Sequence, residues 1–304
     1  MMLLALLYFS TTAHAQACMC SRSVALPSLP LQRAWAGVAS LEYGINLEAD
    51  PTLWRGVAVI DRYGDSMAGM RMPPMLAQTV ALTATLGLPA HFSVSTTLPY
   101  MYKDNLGESD MPGDTDLASF NDVDLTGRWG LASDDDKRFL GVSAGLTFPT
   151  GTVIPNSSVR SGRGVFGTTV AANGGVKVHP KVRLAGQISG ATGFGPDTTG
   201  YVVAPSASVV GGVGWTPREN GRASLALFVL ERWMGHDRKD ALVYKNSGSL
   251  ITDLALAGSY TVWEKKLRSA SVTLRAQAPV FQVVGDPMYA ENFGGSASVS
   301  VTAF

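Results

Sequence analysis

Val80-Ala81-Leu82-Thr83-Ala84-Thr85-Leu86-Gly87-Leu88, then Pro89-Ala90-His91, then Phe92-Ser93-Val94-Ser95-Thr96-Thr97-Leu98-Pro99-Tyr100, is the stretch that decides the fold. Successive side chains of an extended strand point to opposite faces. Val80, Leu82, Ala84, Leu86 and Leu88 therefore share one face, and Thr79, Thr83 and Thr85 share the other. After the short turn, Phe92, Val94, Thr96, Leu98 and Tyr100 repeat the pattern against Ser93, Ser95 and Thr97. The stretch predicts a hairpin of two long strands, Leu76 to Leu88 and Ala90 to Tyr102. Each is long enough to cross a bilayer at a tilt, which takes about 9–11 residues.

The unit recurs along the chain. Strands are predicted at Ala34 to Asn46, Asn121 to Leu131, Arg138 to Pro149, Gly164 to Val178, Lys181 to Thr192 and Tyr201 to Trp215. Four more follow at Arg222 to Trp233, Ser249 to Trp263, Arg268 to Gln282 and Phe293 to Phe304. Short gaps such as Ser133 to Lys137, His179-Pro180-Lys181 and Pro217 to Gly221 alternate with long gaps rich in Gly, Pro, Asp and Asn. That alternation predicts an all-β fold, a transmembrane antiparallel up-and-down β-barrel of about 12 strands. Both termini then fall at the short-turn end. Leu47 to Met75 is the first long loop, with room for a short helix or hairpin.

Of the 304 residues, 46% are hydrophobic and 16% charged, yet no internal run reaches the roughly 18 apolar residues of a spanning helix. The formal net charge of zero argues against broad electrostatic capture of nucleic acid. Trp35, Tyr43, Tyr100, Trp129, Trp215, Trp233, Tyr260 and Trp263 fall mostly near predicted strand ends, as aromatic girdles at two membrane interfaces do. The competing reading is a soluble sandwich, which usually has shorter strands and a more polar exposed face.

Residues 1–15 read as a secretory signal. Leu3, Leu4, Leu6, Leu7, Tyr8 and Phe9 form its apolar part, and Ala13-His14-Ala15 a cleavage site before Gln16. Ala15-Gln16-Ala17 before Cys18 is a second cleavage candidate. Residues 16–33 read as an irregular extension, and residues 34–304 as the barrel, exported by a Sec-type route to the outer membrane of a Gram-negative cell.

Asn121-Asp122-Val123-Asp124-Leu125-Thr126-Gly127-Arg128-Trp129 precedes a charged turn and then Leu146-Thr147-Phe148-Pro149-Thr150-Gly151. This pairing resembles the outer-membrane barrels of the phenol meta-pathway or transporter-like family, with Asn121-Asp122 standing where that family has Gly-Asp. The resemblance implies a channel for small, including hydrophobic or aromatic, molecules. The terminal Phe304 resembles the C-terminal aromatic that the barrel assembly machinery recognises, although Thr302 and Ser300 stand where apolar residues are usual. Expected partners are thus outer-membrane lipid, that machinery and a small-molecule substrate. No cofactor, nucleic-acid partner or enzymatic activity is expected.

Glu42, Asp124, Arg128, Lys177, Arg183, Asp253 and Arg275 fall on the polar faces of their strands and are predicted to point into the lumen. They fit pore-lining charges, and equally buried pairs that fill a small barrel. Cys18 and Cys20 with Met67, Met70, Met72 and Met75 offer soft sulfur ligands of the kind that select Cu(I), so a metal-handling role is one alternative. A barrel-embedded hydrolase using His236 with Asp237 or Asp240 is another, although no nucleophile is placed beside it by sequence. Asp110, Asp114, Asp116, Asp122 and Asp124 suit Ca²⁺ by chemistry, lack EF-hand spacing, and read as a solvated loop.

Overall fold

The computed structural model describes residues 37–49, 58–61, 75–105, 117–133, 137–152, 161–198, 200–217, 222–239, 242–243, 248–265, 268–284 and 290–303. Twelve long strands form the wall. In chain order they are β1 Gly37–Ala49, β2 Met75–Gly87, β3 Phe92–Asn105, β4 Val123–Ala132, β5 Arg138–Phe148 and β6 Gly167–His179. The second half comprises β7 Val182–Gly193, β8 Ser206–Trp215, β9 Ala223–Met234, β10 Ser249–Lys265, β11 Arg268–Val284 and β12 Ala290–Ala303.

Each strand pairs antiparallel with the strands before and after it in the chain. The wall closes where β12 returns to β1, with Gly37 opposite Ala303 and Tyr43 opposite Ala297. Closure removes the free edges that an open sheet would expose to lipid. The Gly37–Ala303 pair also puts both ends of the wall at the short-turn end, as the gap lengths predict.

The period of two runs along the wall strands and is interrupted at bulges, as between Thr261 and Trp263 of β10 and between Lys177 and His179 of β6. Leu41, Leu82, Val142, Leu146, Ile188, Val209, Leu256 and Leu274 point outward, and Leu274 is 60% exposed. Apolar residues cover the outer face of the whole wall, far more than a soluble monomer exposes, and only lipid satisfies such a surface. Leu125, Val142, Ala144 and Leu146 face out while Asp124, Arg128, Ser143 and Thr147 face in, so β4 and β5 have the predicted register. A one-residue slip would carry Asp124 and Arg128 into hydrocarbon. Glu231 departs from the rule: it lies exposed on the outer face between Val229 and Trp233, and nothing in the structure explains it.

Exposed aromatics mark two levels. Phe92, Trp215, Tyr260 and Trp263 lie toward the short-turn end, and Tyr100, Tyr102, Phe120, Phe166 and Trp233 toward the long-loop end. Phe92 and Tyr102 are ten residues apart on β3. At about 3.3 Å per residue and a tilt of about 40°, that is roughly 25 Å along the barrel axis, the height of an outer-membrane apolar band.

The turn between β2 and β3 is sharp. Ala90 and His91 take φ of 58° and 64°, a left-handed pair of the kind that two-residue hairpin loops use. The structure differs from the expected strands in several places, among them a short strand Leu117–Phe120 that pairs with β3. The wall strand expected from Asn121 begins at Val123, because Asn121 and Asp122 turn from the ladder to bind the next loop. The expected Tyr201–Trp215 strand is broken by Val203, Ala204 and Pro205, and Tyr201–Val202 joins a small sheet with Arg238–Lys239 and Leu242–Val243. The first long gap contains a short strand, Ala58–Asp61, parallel to β11. The signal segment, the extension at 16–33, Trp35 and Phe304 lie outside the described residues.

Candidate functional site

The polar face of every wall strand turns into the barrel, so the lumen is the candidate site. Its two sides differ. On β9 and β10 the inward side chains are buried. Val210 of β8 joins Ala226, Phe228 and Leu230 of β9 and Ala255 and Ala257 of β10 in an apolar cluster. The Phe228 ring lies over Gly212, its cross-strand partner, where any side chain at position 212 would collide with it. On β6 and β7, by contrast, Thr169, Ala171, Asn173, Ala185, Ser189 and Ala191 remain half-buried. Small side chains leave this side of the lumen the less filled.

The predicted inward charges all lie on inward-facing positions, and they divide between the two sides. Asp253 is buried beside Leu230 and Ile251 and is held by Arg232, whose Nε and Nη2 donate to its Oδ2 at 2.9 and 2.5 Å. Burial of both partners makes this a structural pair, worth little net yet costly to break. Arg275 lies near it, donates from Nη2 to Gln277, and shares the electrostatic environment of Glu42, Arg232 and Asp253. Across the lumen, Asp124 accepts from the Thr147 hydroxyl at 2.6 Å. Lys177 and Arg183 are register partners on β6 and β7, and the Arg183 guanidinium stands 5.7 Å above the centre of the Phe139 ring. That ring lies over Gly175, its own cross-strand partner.

Sequence reading missed Arg232 and Lys103, both inward and buried. The signal was available. Arg232 alternates with Leu230 and Met234 on β9, and Lys103 with Met101 on β3, so each shares an inward face with apolar residues that disguised it.

The residues behind the family resemblance do a different job. Asp122 is buried rather than solvated, which corrects the loop reading of that acid. Its Oδ1 accepts the Gly151 N–H at 2.9 Å and its Oδ2 the Arg163 N–H at 2.6 Å. The Thr150 hydroxyl donates to the Asn121 carbonyl and accepts the Val123 N–H. Gly162 packs so tightly on the Asp122 carboxylate that a Cβ there would overlap it. Asn121-Asp122 and Pro149-Thr150-Gly151 thus form a clasp that ties the loop between β5 and β6 to the start of β4. Burial raises the Asp122 pKa above the ordinary carboxylate range, and the two N–H donors only partly oppose this.

Of the acids weighed as partners for His236, Asp240 lies outside the described residues. Asp237 is engaged by the Tyr201 hydroxyl and the Ala204 N–H, while His236 packs against Gly248. Among the described residues, no three His, Cys, Asp or Glu side chains converge as metal ligands would. Cys18, Cys20, Met67, Met70, Met72 and Asp110, Asp114 and Asp116 lie outside the described residues, and Met75 opens β2.

No protein-family model matches the sequence, and no curated protein matches it. The fold is similar to that of the COG4313 outer membrane channel from Pseudomonas putida F1, at a TM-score of 0.73 and 13% identity, over 90% of this chain and 97% of that one. Weaker likenesses include the NanC porin, at a TM-score of 0.48 and 10% identity over 87% of this chain and 99% of that one. The TodX monoaromatic hydrocarbon channel, as its deltaS2S3 mutant, gives 0.44 and 10% identity over 89% and 91%. The closed twelve-strand wall with its apolar exterior is the fold of an outer-membrane β-barrel.

Proposed function

We propose that this chain is a passive outer-membrane channel that admits small molecules, including ones with an apolar body. The observation that carries the reading is the uneven lumen: packed along β9 and β10, and lined by half-buried Ala, Ser, Thr and Asn along β6 and β7. A barrel kept only as a scaffold has no need of small, half-buried side chains on one inner side. The cluster of Val210, Phe228 and Leu230 is itself buried and fills the β9–β10 side, so a solute path runs along the half-buried side chains of β6 and β7.

The reading includes membership of the phenol meta-pathway or transporter-like barrels, supported by the clasp residues that carry the resemblance. It also includes export from a leader at residues 1–15 and assembly through Phe304. The purified protein in a planar lipid bilayer tests the function. Discrete single-channel current steps are expected, and a correctly folded barrel that neither conducts nor admits small solutes into liposomes would refute it.

A further inference from the structure

The seam between β11 and β12 is not paired along its whole length. Its ladder runs from Ser269–Thr302 to Gln277–Gly294 and ends there. Both strands continue. β11 keeps pairing with β10 as far as Val284, and β12 keeps pairing with β1 as far as Ala290. A regular hairpin would set Ala278 opposite Phe293 and Val280 opposite Glu291. Instead, Phe281 to Val284 take the short strand Ala58–Asp61 as a parallel partner on this side. Ala278 to Val280 and Glu291 to Phe293 have no partner across the seam among the described residues.

The sequence supplies the cause on both strands. Pro279 has no N–H to give to a ladder, which is why Pro within sheets is confined to edges and bulges. The β10–β11 register shifts beside it, between Thr252 and Asp253. On the facing strand, Gly294-Gly295 offers no side chain to pack against a neighbour.

The parting lies at membrane depth. Val272 stands opposite Tyr260, one of the aromatics at the short-turn end. Ala278 and Val280 follow Val272 on the same strand. At about 3.3 Å per residue and a tilt of about 40° they lie roughly 15–20 Å above that level, inside an apolar band about 25 Å tall. Irregular backbone at such a depth is tolerated where it is buried in protein or lines a water-filled cavity. The rim on the lipid side is apolar: Ala276, Ala278 and Val280 of β11 and Ile45 of β1 turn outward. Behind it, Gly294 and Ser296 turn toward the lumen.

We infer that the parted β11–β12 seam is a lateral opening, bounded above by Ala58–Asp61, through which small solutes with an apolar body pass between the lumen and the outer leaflet. The inference rests on the channel reading and adds a route to it.

The test uses the full chain with Cys18 and Cys20 replaced by Ser, in vesicles of lipids brominated on their acyl chains, which quench a fluorophore that the chains can reach. Ser296→Cys at the parted seam and Ser143→Cys on the continuous β4–β5 seam are both half-buried, inward positions, and each carries a bimane label. Quenching at Ser296→Cys is expected to exceed that at Ser143→Cys several-fold and to approach that at the outward Leu274→Cys. Pro279→Val, which supplies the missing N–H, is expected to reduce it. Equally weak quenching at the two inward positions overturns the opening. In planar bilayers, cyclohexanol dissolved in the membrane is expected to lower the single-channel current several-fold. Ala278→Cys with Phe293→Cys, oxidised to a disulfide, is expected to abolish that block while the current persists, and dithiothreitol to restore it. Heat-modifiable migration on a gel confirms that the paired variant is folded. Block unchanged in the oxidised, folded variant shows entry by the mouths, which overturns the lateral route and leaves the channel standing. Absence of current from a protein whose Ser296→Cys label is quenched overturns the channel reading and leaves the opening.

Discussion

Arg232 binds Asp253 through two donors onto one carboxylate oxygen, inside the lumen and away from water, where each is at most 3% exposed. Neither charge would be stable there alone. Removing one partner from a buried pair costs about 3–5 kcal/mol, because the other is left uncompensated. Asp253→Ala and Arg232→Ala are each expected to lower folding stability by that amount. The double variant is expected to recover most of the loss. Urea titration of refolding into detergent micelles or lipid vesicles measures the cycle, and strictly additive effects would show that the two residues act independently.

The face assignment predicts an asymmetry between neighbours. Ala144 on β5 faces out and Ala171 on β6 faces in. An Arg at mid-height on a lipid face costs about 2–4 kcal/mol. Ala144→Arg is expected to block assembly, and Ala171→Arg to assemble and shift the conductance. Membrane fractionation with a heat-modifiability gel distinguishes them, and equal assembly of both variants would refute the register of β5 and β6.

The β2–β3 turn is open to improvement. Ala90 and His91 occupy left-handed backbone positions that cost a residue with a Cβ about 1–2 kcal/mol each, and Asn or Gly less. Replacing the pair with Asn-Gly is expected to stabilise the barrel by about 1 kcal/mol and to speed hairpin formation. Thermal unfolding of the two proteins compares them, and a lower midpoint for the Asn-Gly variant would contradict the turn geometry.

Asp122 gives the clasp a pH dependence. Burial raises its pKa in the folded protein, so the folded state holds the proton more readily than the unfolded chain. The stability from this group is therefore complete below the ordinary carboxylate pKa of about 3.9 and is lost as the pH rises through the higher folded value. Asp122→Asn cannot ionise, and it also loses one backbone acceptor, worth about 1 kcal/mol. The variant is expected to be less stable at acidic pH and to show a flatter stability profile from about pH 4 upward. Parallel profiles for variant and parent would remove Asp122 as the titrating group.

Much of the fold was legible because lipid imposes a strict rule. Leu82, Val142 and Leu146 alternate with Thr83, Ser143 and Thr147, and a period of two leaves only one way to pair the faces. The lumen was legible by face and not by partner. Asp253 was visible as an inward acid, but its partner Arg232 lies 21 residues away on the neighbouring strand, among apolar inward residues. The clasp was visible as a motif and misread as a solvated acid, because the donors to Asp122 are backbone N–H groups of Gly151 and Arg163. Backbone donors have no sequence signature. That Lys177 and Arg183 stand opposite each other emerges only once the hairpin register is known.

The pairing of β1 with β12 bears on how the molecule comes into being. Gly37 and Ala303 are joined across nearly the full length of the chain, so the contact that seals the cylinder is also the most remote in sequence. Every other seam can form between consecutive hairpins as they appear, and this one must wait for the last stave. Until then both rims offer unpaired backbone to any neighbouring sheet, and a chain that stops before β12 keeps two adhesive edges. The same adjacency makes the choice of first stave arbitrary. If Gly37 and Ala303 were bridged by a short linker and the chain reopened in a long loop, the barrel would keep every seam while the sealing step moved to a different pair of staves.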